Sequence, residues 1–178
     1  LLKTGKPMPS NSFWQAMAIN NINHQTEFYS SANGRFLEQL IRDAEQPDLL
    51  TRLLTVQQQK LSYRVVNAAE QTKIALTEQT EQQIDLSDID NGLTVDLDRN
   101  GFATACKREL NAIAVLMKDA ISQANCQPDV VFVTGGTAKS PVLNQFLQQQ
   151  FQNTPIVIGD HFGSVTAGLT RWANTIYS

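Results

Sequence analysis

Val130-Val131-Phe132-Val133 is a continuous apolar run that ends in Thr134-Gly135-Gly136-Thr137, and the segments downstream of it leave few topologies open. A helical stretch from Pro141 to Phe151 comes next, then a short strand at Ile156 to Ile158 and a last helix from about Gly163 to Trp172. Strand, glycine turn, helix, strand is the order of a parallel βαβ unit, in which the strands are covered on both faces and therefore lose the polar-apolar alternation. Upstream, Gly101 precedes a long helical pattern through Leu110, Ile113, Ala114, Met117 and Ile121, closed near Pro128.

The first hundred residues have a different texture. Residues 1 to about 30 carry Pro7, Pro9 and many Asn and Ser, which predicts an irregular arm with a short strand at Ala16 to Ile19, anchored by Phe13, Trp14, Phe28 and Tyr29. Asn33-Gly34 opens an amphipathic helix through Phe36, Leu37, Leu40 and Ile41 that ends near Pro47, with Asp48 as the N-cap of the next. From Leu49 to Thr77 apolar residues recur without Gly or Pro, which predicts one helix of about eight turns. The period then changes to two at Ile84, Leu86, Leu93, Val95 and Leu97, around Asp88, Asp90, Asn91 and Gly92, as in a β-hairpin. A boundary between two subdomains, 1–100 and 101–178, is placed near Gly101.

Composition narrows the function. A hydrophobic fraction of 42% excludes wholesale disorder, and a net charge of −3 lacks the surplus basic charge of a nucleic-acid footprint. The apolar runs fall far short of the ~20 residues that cross a bilayer. Cys106 and Cys126 fall in one helical pattern, about 30 Å apart, and are expected to be free thiols, which favours a reducing cytoplasm. The chain opens without an initiator Met or a signal peptide, at Leu1-Leu2-Lys3-Thr4-Gly5, and reads as a fragment. The Gln57–Gln59 and Gln148–Gln150 tracts lie in helical patterns and read as solvated helix faces.

Several residues carry possible chemistry. Thr134-Gly135-Gly136-Thr137 stands where a strand-to-helix turn can bring backbone N–H groups to a phosphate, or serve for chain reversal alone. Asp96-Leu97-Asp98-Arg99-Asn100-Gly101 matches the first half of a calcium loop, but Lys107 stands where a bidentate Glu is needed, so it reads as a hairpin exit and helix start. His24 and His161 have no metal-spaced partner and read as structural or surface residues. Glu70 and Lys73 share one helix face, which is also the spacing of an ordinary surface ion pair worth about 0.2–0.5 kcal/mol.

The combination says more than any motif. Ala68-Ala69-Glu70-Gln71-Thr72-Lys73-Ile74-Ala75-Leu76-Thr77, a hairpin, a long helix, Val131-Phe132-Val133-Thr134-Gly135-Gly136-Thr137-Ala138-Lys139-Ser140-Pro141 and Val165-Thr166-Ala167-Gly168 occur in the order found in DnaK-type heat-shock chaperones. The chain resembles that family over residues 33 to 172, and Phe28-Tyr29-Ser30-Ser31-Ala32-Asn33-Gly34-Arg35 resembles the divergent YegD-type members. The resemblance implies an α/β fold, the C-terminal lobe (lobe II) of an actin-like ATPase domain, with a helical outer subdomain carrying the hairpin and part of the inner parallel sheet.

It further implies that Glu70 and Lys73 bind the ribose of ATP or ADP and that Thr77 meets the adenine edge. Gly135, Gly136 and Thr137 would approach the phosphates, and Lys139 would stand where the family has an Arg packed on adenine, losing a planar surface. Phe162-Gly163-Ser164-Val165 replaces the family's Asp-Glu-Ala-Val segment, so an acidic position near the purine is lost. The resemblance brings Mg²⁺, protein clients and co-chaperones as partners of a full-length protein. The 178 residues contain no Asp-x-Gly-Thr phosphate loop and no Mg²⁺-site carboxylate cluster, so alone they are expected not to hydrolyse ATP. A sugar kinase on the same scaffold, or a non-enzymatic helical interaction module, stand as alternatives. The strand at Val130 to Val133 is expected to fill its open edge with the N-terminal arm or with another copy of the chain.

Overall fold

The computed structural model describes residues 1–159 and 163–177, apart from the side chains of 164 and 165. The chain divides into two compact units, Leu1–Thr72 with Gln83–Asp96 and Lys73–Gln82 with Leu97–Ser178.

In the first unit the arm is helical, with α1 over Asn11–Met17 and α2 over Ile22–Phe28, and the expected strand at Ala16 to Ile19 is not formed. The Asn and Ser residues that suggested irregular backbone act instead as caps and tertiary bonds. The Asn21 side chain accepts the His24 N–H at 3.1 Å at the start of α2, and the Ser12 hydroxyl donates to Asn33 Oδ1 at 2.9 Å. Ala16 and Phe28 are then fully buried, whereas Trp14 is 58% exposed, so the arm is anchored by Phe28 and Tyr29 more than by its first aromatics.

Helix α3 covers Ser31–Asp43, capped by Ser30, and α4 covers Pro47–Gln58. A three-residue connection makes them packed neighbours. Their apolar stripes, Leu37, Leu40 and Ala44 against Leu50, Leu53 and Val56, close the core with Ala16 and Phe28. Asp48 is not the cap of α4. Pro47 occupies the first turn, where its missing N–H costs nothing, and Asp48 lies in that turn beside the positive helix end.

The eight-turn helix expected from Leu49 to Thr77 is two helices, α4 and α5 over Ser62–Glu78. Lys60 adopts a left-handed φ of 57°, and the Leu61 N–H turns back to the Val56 carbonyl at 2.9 Å, a Schellman closure with Lys in the place usually taken by Gly. Leu61 thereby packs on the core, and Tyr29 secures the restart of the chain. The Tyr29 hydroxyl donates to Ser62 Oγ at 2.6 Å and accepts the Ser62 N–H at 3.2 Å, satisfying an orphan donor at the start of α5. Since Ser62 is 1% exposed, Tyr29→Phe should cost about 1–3 kcal/mol, read as a lower urea midpoint at unchanged slope.

The hairpin is present as β1, Glu81–Asp85, and β2, Thr94–Asp98. Gly92 takes φ 73° in its turn, and Arg52 and Arg64 bind Asp90 and Asp88 at 2.8 and 3.1 Å.

In the second unit, the helix expected after Gly101 begins earlier and is interrupted. Helix α6 covers Arg99–Ala105 and α7 covers Lys107–Ala124. Asp98 starts α6 by accepting the Gly101 N–H at 2.7 Å. Cys106, at φ −86° and ψ −1°, joins the two helices, and its N–H still reaches the Phe102 carbonyl. Cys106 and Cys126 are both free.

Strand β3, Val131–Val133, pairs in parallel with β4, Ile156–Ile158, with Phe132 opposite Val157, but the cover expected on both faces is not found, since Phe132 is 58% and Val157 45% exposed. A 3-10 turn at Gly136–Lys139, α8 over Pro141–Gln150 and α9 over Ser164–Tyr177 complete this unit. Among the described residues β3 has β4 as its strand partner, and the arm expected to fill its open edge is helical.

Candidate functional site

Two short segments hold the residues singled out by the sequence. On α5, Glu70, Lys73 and Thr77 follow at intervals of three and four, which places them on one stripe of the helix. The neighbouring Thr72 and Leu76 are 4% and 2% exposed, so this part of α5 is seated by its other side. Glu70 is exposed, and Lys73 and Thr77 are half-buried. Among the described residues Glu70 and Lys73 form no ion pair with each other. The Thr77 hydroxyl donates to the Ile74 carbonyl at 2.7 Å. A carbonyl can only accept, so the proton of Thr77 is committed and its oxygen remains an acceptor.

The second segment is the turn after β3. Gly135 has φ 92° and ψ 164°, a conformation open to Gly and strained for residues with a Cβ. Among the described residues nothing beyond its chain neighbours lies within 4 Å of the place its Cβ would take, so conformation, not crowding, selects the glycine. Below the turn Ala138 and Ser140 are buried, and Asn144 on α8 donates to the Ala138 carbonyl at 3.1 Å. Gly136, Thr137 and Lys139 are on the exposed side of the turn. The structure thus brings Gly135, Gly136, Thr137 and Lys139 together as one turn, and Glu70, Lys73 and Thr77 together as one helix stripe.

Sequence reading passed over Arg99. Its Nε donates to the Leu76 carbonyl at 2.9 Å and its Nη2 to the Thr77 carbonyl at 3.2 Å, at the end of α5. The calcium-like pattern around it drew attention to the wrong atoms. Asp98 is spent on capping α6, and Asp96 accepts from Gln83 Nε2 at 2.9 Å. Among the described residues no group of three or more His, Cys, Asp or Glu could hold a metal ion. His24 is an exposed residue in the first turn of α2, and His161 and Phe162 lie outside the described residues.

Burial raises the Cys106 thiol above its ordinary range, helped by the Glu109 carboxylate, so this cysteine is not an activated nucleophile. A hollow of about 450 Å³ lined by Asp48, Thr51, Arg52, Thr55, Ile89 and Asp90 contains none of the residues above. Among the described residues no helix is long and apolar enough to cross a membrane.

Helices, a hairpin, and a parallel βαβ unit with its glycine turn make a mixed α/β fold of the kind that forms part of an actin-like ATPase domain. The family model described as Hsp70 protein matches residues 38–168, a stretch that includes both segments. A chaperone protein HscA homolog of Vibrio cholerae serotype O1 is 30% identical over 127 residues, 71% of this chain and 20% of that protein. The chain belongs to the Hsp70 family. It spans about a fifth of the length of this curated relative.

Proposed function

We propose that the chain forms the lobe II half of the nucleotide cleft of a DnaK-like chaperone ATPase of the YegD type, with residues 1–100 as outer and 101–178 as inner subdomain. The observation that carries this reading is the α5 stripe, where Glu70 and Lys73 stand one turn apart without pairing and Thr77 follows one turn on. A carboxylate that accepts and an ammonium that donates suit the two ribose hydroxyls. The acceptor-only oxygen of Thr77 suits the exocyclic amine of adenine. Gly135, with open space over its backbone, and the neighbouring Gly136 and Thr137 suit phosphate oxygens, while the stem of Lys139 would lie along the base.

These residues fit the base, the ribose and the phosphates of ATP or ADP. Mg²⁺, when bound, would neutralise phosphate charge; among the described residues no group of three or more His, Cys, Asp or Glu could hold it. Clients and co-chaperones would be partners of the full-length protein. A reducing compartment such as the cytoplasm suits its two free thiols.

The test is titration calorimetry of the full-length protein with ADP and with inosine diphosphate, which carries a keto oxygen in place of the amine. ADP should bind the tighter by up to about tenfold, the worth of one hydrogen bond. No saturable ADP binding would remove the site, and equal affinity for the two would remove the reading of Thr77.

A further inference from the structure

We propose that Arg99 is a positioning residue for the nucleotide site, holding the end of α5 that carries Lys73 and Thr77. The proposal rests on the nucleotide reading of that helix and adds to it a residue that touches no ligand.

The last carbonyls of a helix have no partner within it, and for that reason helix ends fray. Thr77 lies in the last turn of α5, where fraying would move its hydroxyl most. Arg99 meets this weakness with a rigid fork. Its Nε and Nη2 donate to the consecutive carbonyls of Leu76 and Thr77, and its backbone N–H donates to Thr80 at 3.1 Å. A guanidinium can close both carbonyls at once and brings a positive charge to the negative end of the helix.

Arg99 is itself fixed from two directions. It follows directly on Asp98, which ends β2 and caps α6, so its backbone is placed by a strand and a helix start together. It is half-buried, and Leu76, whose carbonyl it takes, is 2% exposed. The Thr77 hydroxyl is turned back to Ile74 in the same turn, so carbonyl and side chain of Thr77 are both set by local hydrogen bonds. A shift of this turn would move the acceptor offered to the base and, one turn earlier, the ammonium of Lys73.

The experiment compares full-length wild type, Arg99→Ala, Arg99→Lys, Thr77→Val and the Arg99→Ala/Thr77→Val double variant in ADP titrations, with amide exchange followed in parallel. Arg99→Ala should weaken ADP binding by about three- to tenfold and speed exchange at 76–80 while β3 and β4 keep their protection. Arg99→Lys should recover only part of the affinity, because an ammonium cannot close both carbonyls, and it supplies the comparison if the alanine variant fails to fold. In the Thr77→Val background the loss caused by Arg99→Ala should shrink, since the group being positioned is gone.

Wild-type binding with unchanged affinity in both Arg99 variants would overturn the proposal while leaving the nucleotide reading intact. Strictly additive losses would overturn it too, by showing that Arg99 acts on stability at large. A wild-type protein that does not bind ADP would overturn both.

Discussion

Phe28→Ala should remove about 3–5 kcal/mol of stability, the range for emptying a fully buried aromatic site. Phe28 is 0% exposed, ends α2, and packs with Leu37, Leu40, Leu50 and Leu53 in the cluster that closes the first unit. Its ring also meets that of Tyr29 edge-on at a centroid distance of 5.1 Å. Tyr29 carries the hydroxyl that caps α5, so the cavity would loosen the restart of that helix as well as the core. Against a total of about 5–15 kcal/mol for a domain, that loss is a large fraction of its stability at 25 °C. Ile22→Ala, on the same helix but 82% exposed, should stay within about 0.5 kcal/mol of the parent. Urea unfolding followed by circular dichroism checks both, and a loss below about 1 kcal/mol at Phe28 would show that the arm is not part of the core.

Lys73→Ala should weaken ATP binding by about ten- to a hundredfold, from the 1.5–3 kcal/mol of a hydrogen bond to a charged group. Because Lys73 pairs with no described carboxylate, its removal leaves no buried partner stranded and stability should change by no more than about 0.5 kcal/mol. Affinity and stability therefore separate. Calorimetry beside a melting curve reads the two, and unchanged ATP affinity in a folded variant would remove Lys73 from the ribose.

The βαβ unit was legible because its signals are local. Val131 to Val133 and Ile156 to Ile158 are unbroken apolar runs, the glycine pair marks the turn between strand and helix, and Pro141 starts α8 where its missing N–H is harmless. The hairpin was legible from its period of two. The arm was not, because Asn and Ser serve loops and helix caps alike: Asn21 and Ser30 cap through His24 and Asn33, and Ser12 finds its partner, Asn33, only in the fold. The break at Lys60 was hidden for a related reason. The residue in the left-handed position is Lys where Gly is the usual signal, and the hydroxyl that restarts the helix is Tyr29, 33 positions before Ser62.

For the site, periodicity places Glu70, Lys73 and Thr77 on one stripe, but their roles come from family resemblance, since the same spacing serves ordinary surface ion pairs. Structure contributes what neither supplies: the lack of an ion pair between Glu70 and Lys73 among the described residues, the committed proton of Thr77, and the fork of Arg99. Arg99 had one sequence signal, its position directly after a hairpin strand and its cap, and the calcium-like pattern obscured it.

The most direct test of adenine-nucleotide binding by these two segments is a residue-resolved NMR titration of the full-length protein with ADP. Amide shifts should change on saturation at Glu70, Lys73 and Thr77 on α5 and at Gly135, Gly136 and Thr137 in the turn, with little change in α1 to α4. Shifts that leave both segments unmoved at saturating ADP, or that change only in α1 to α4, would contradict it.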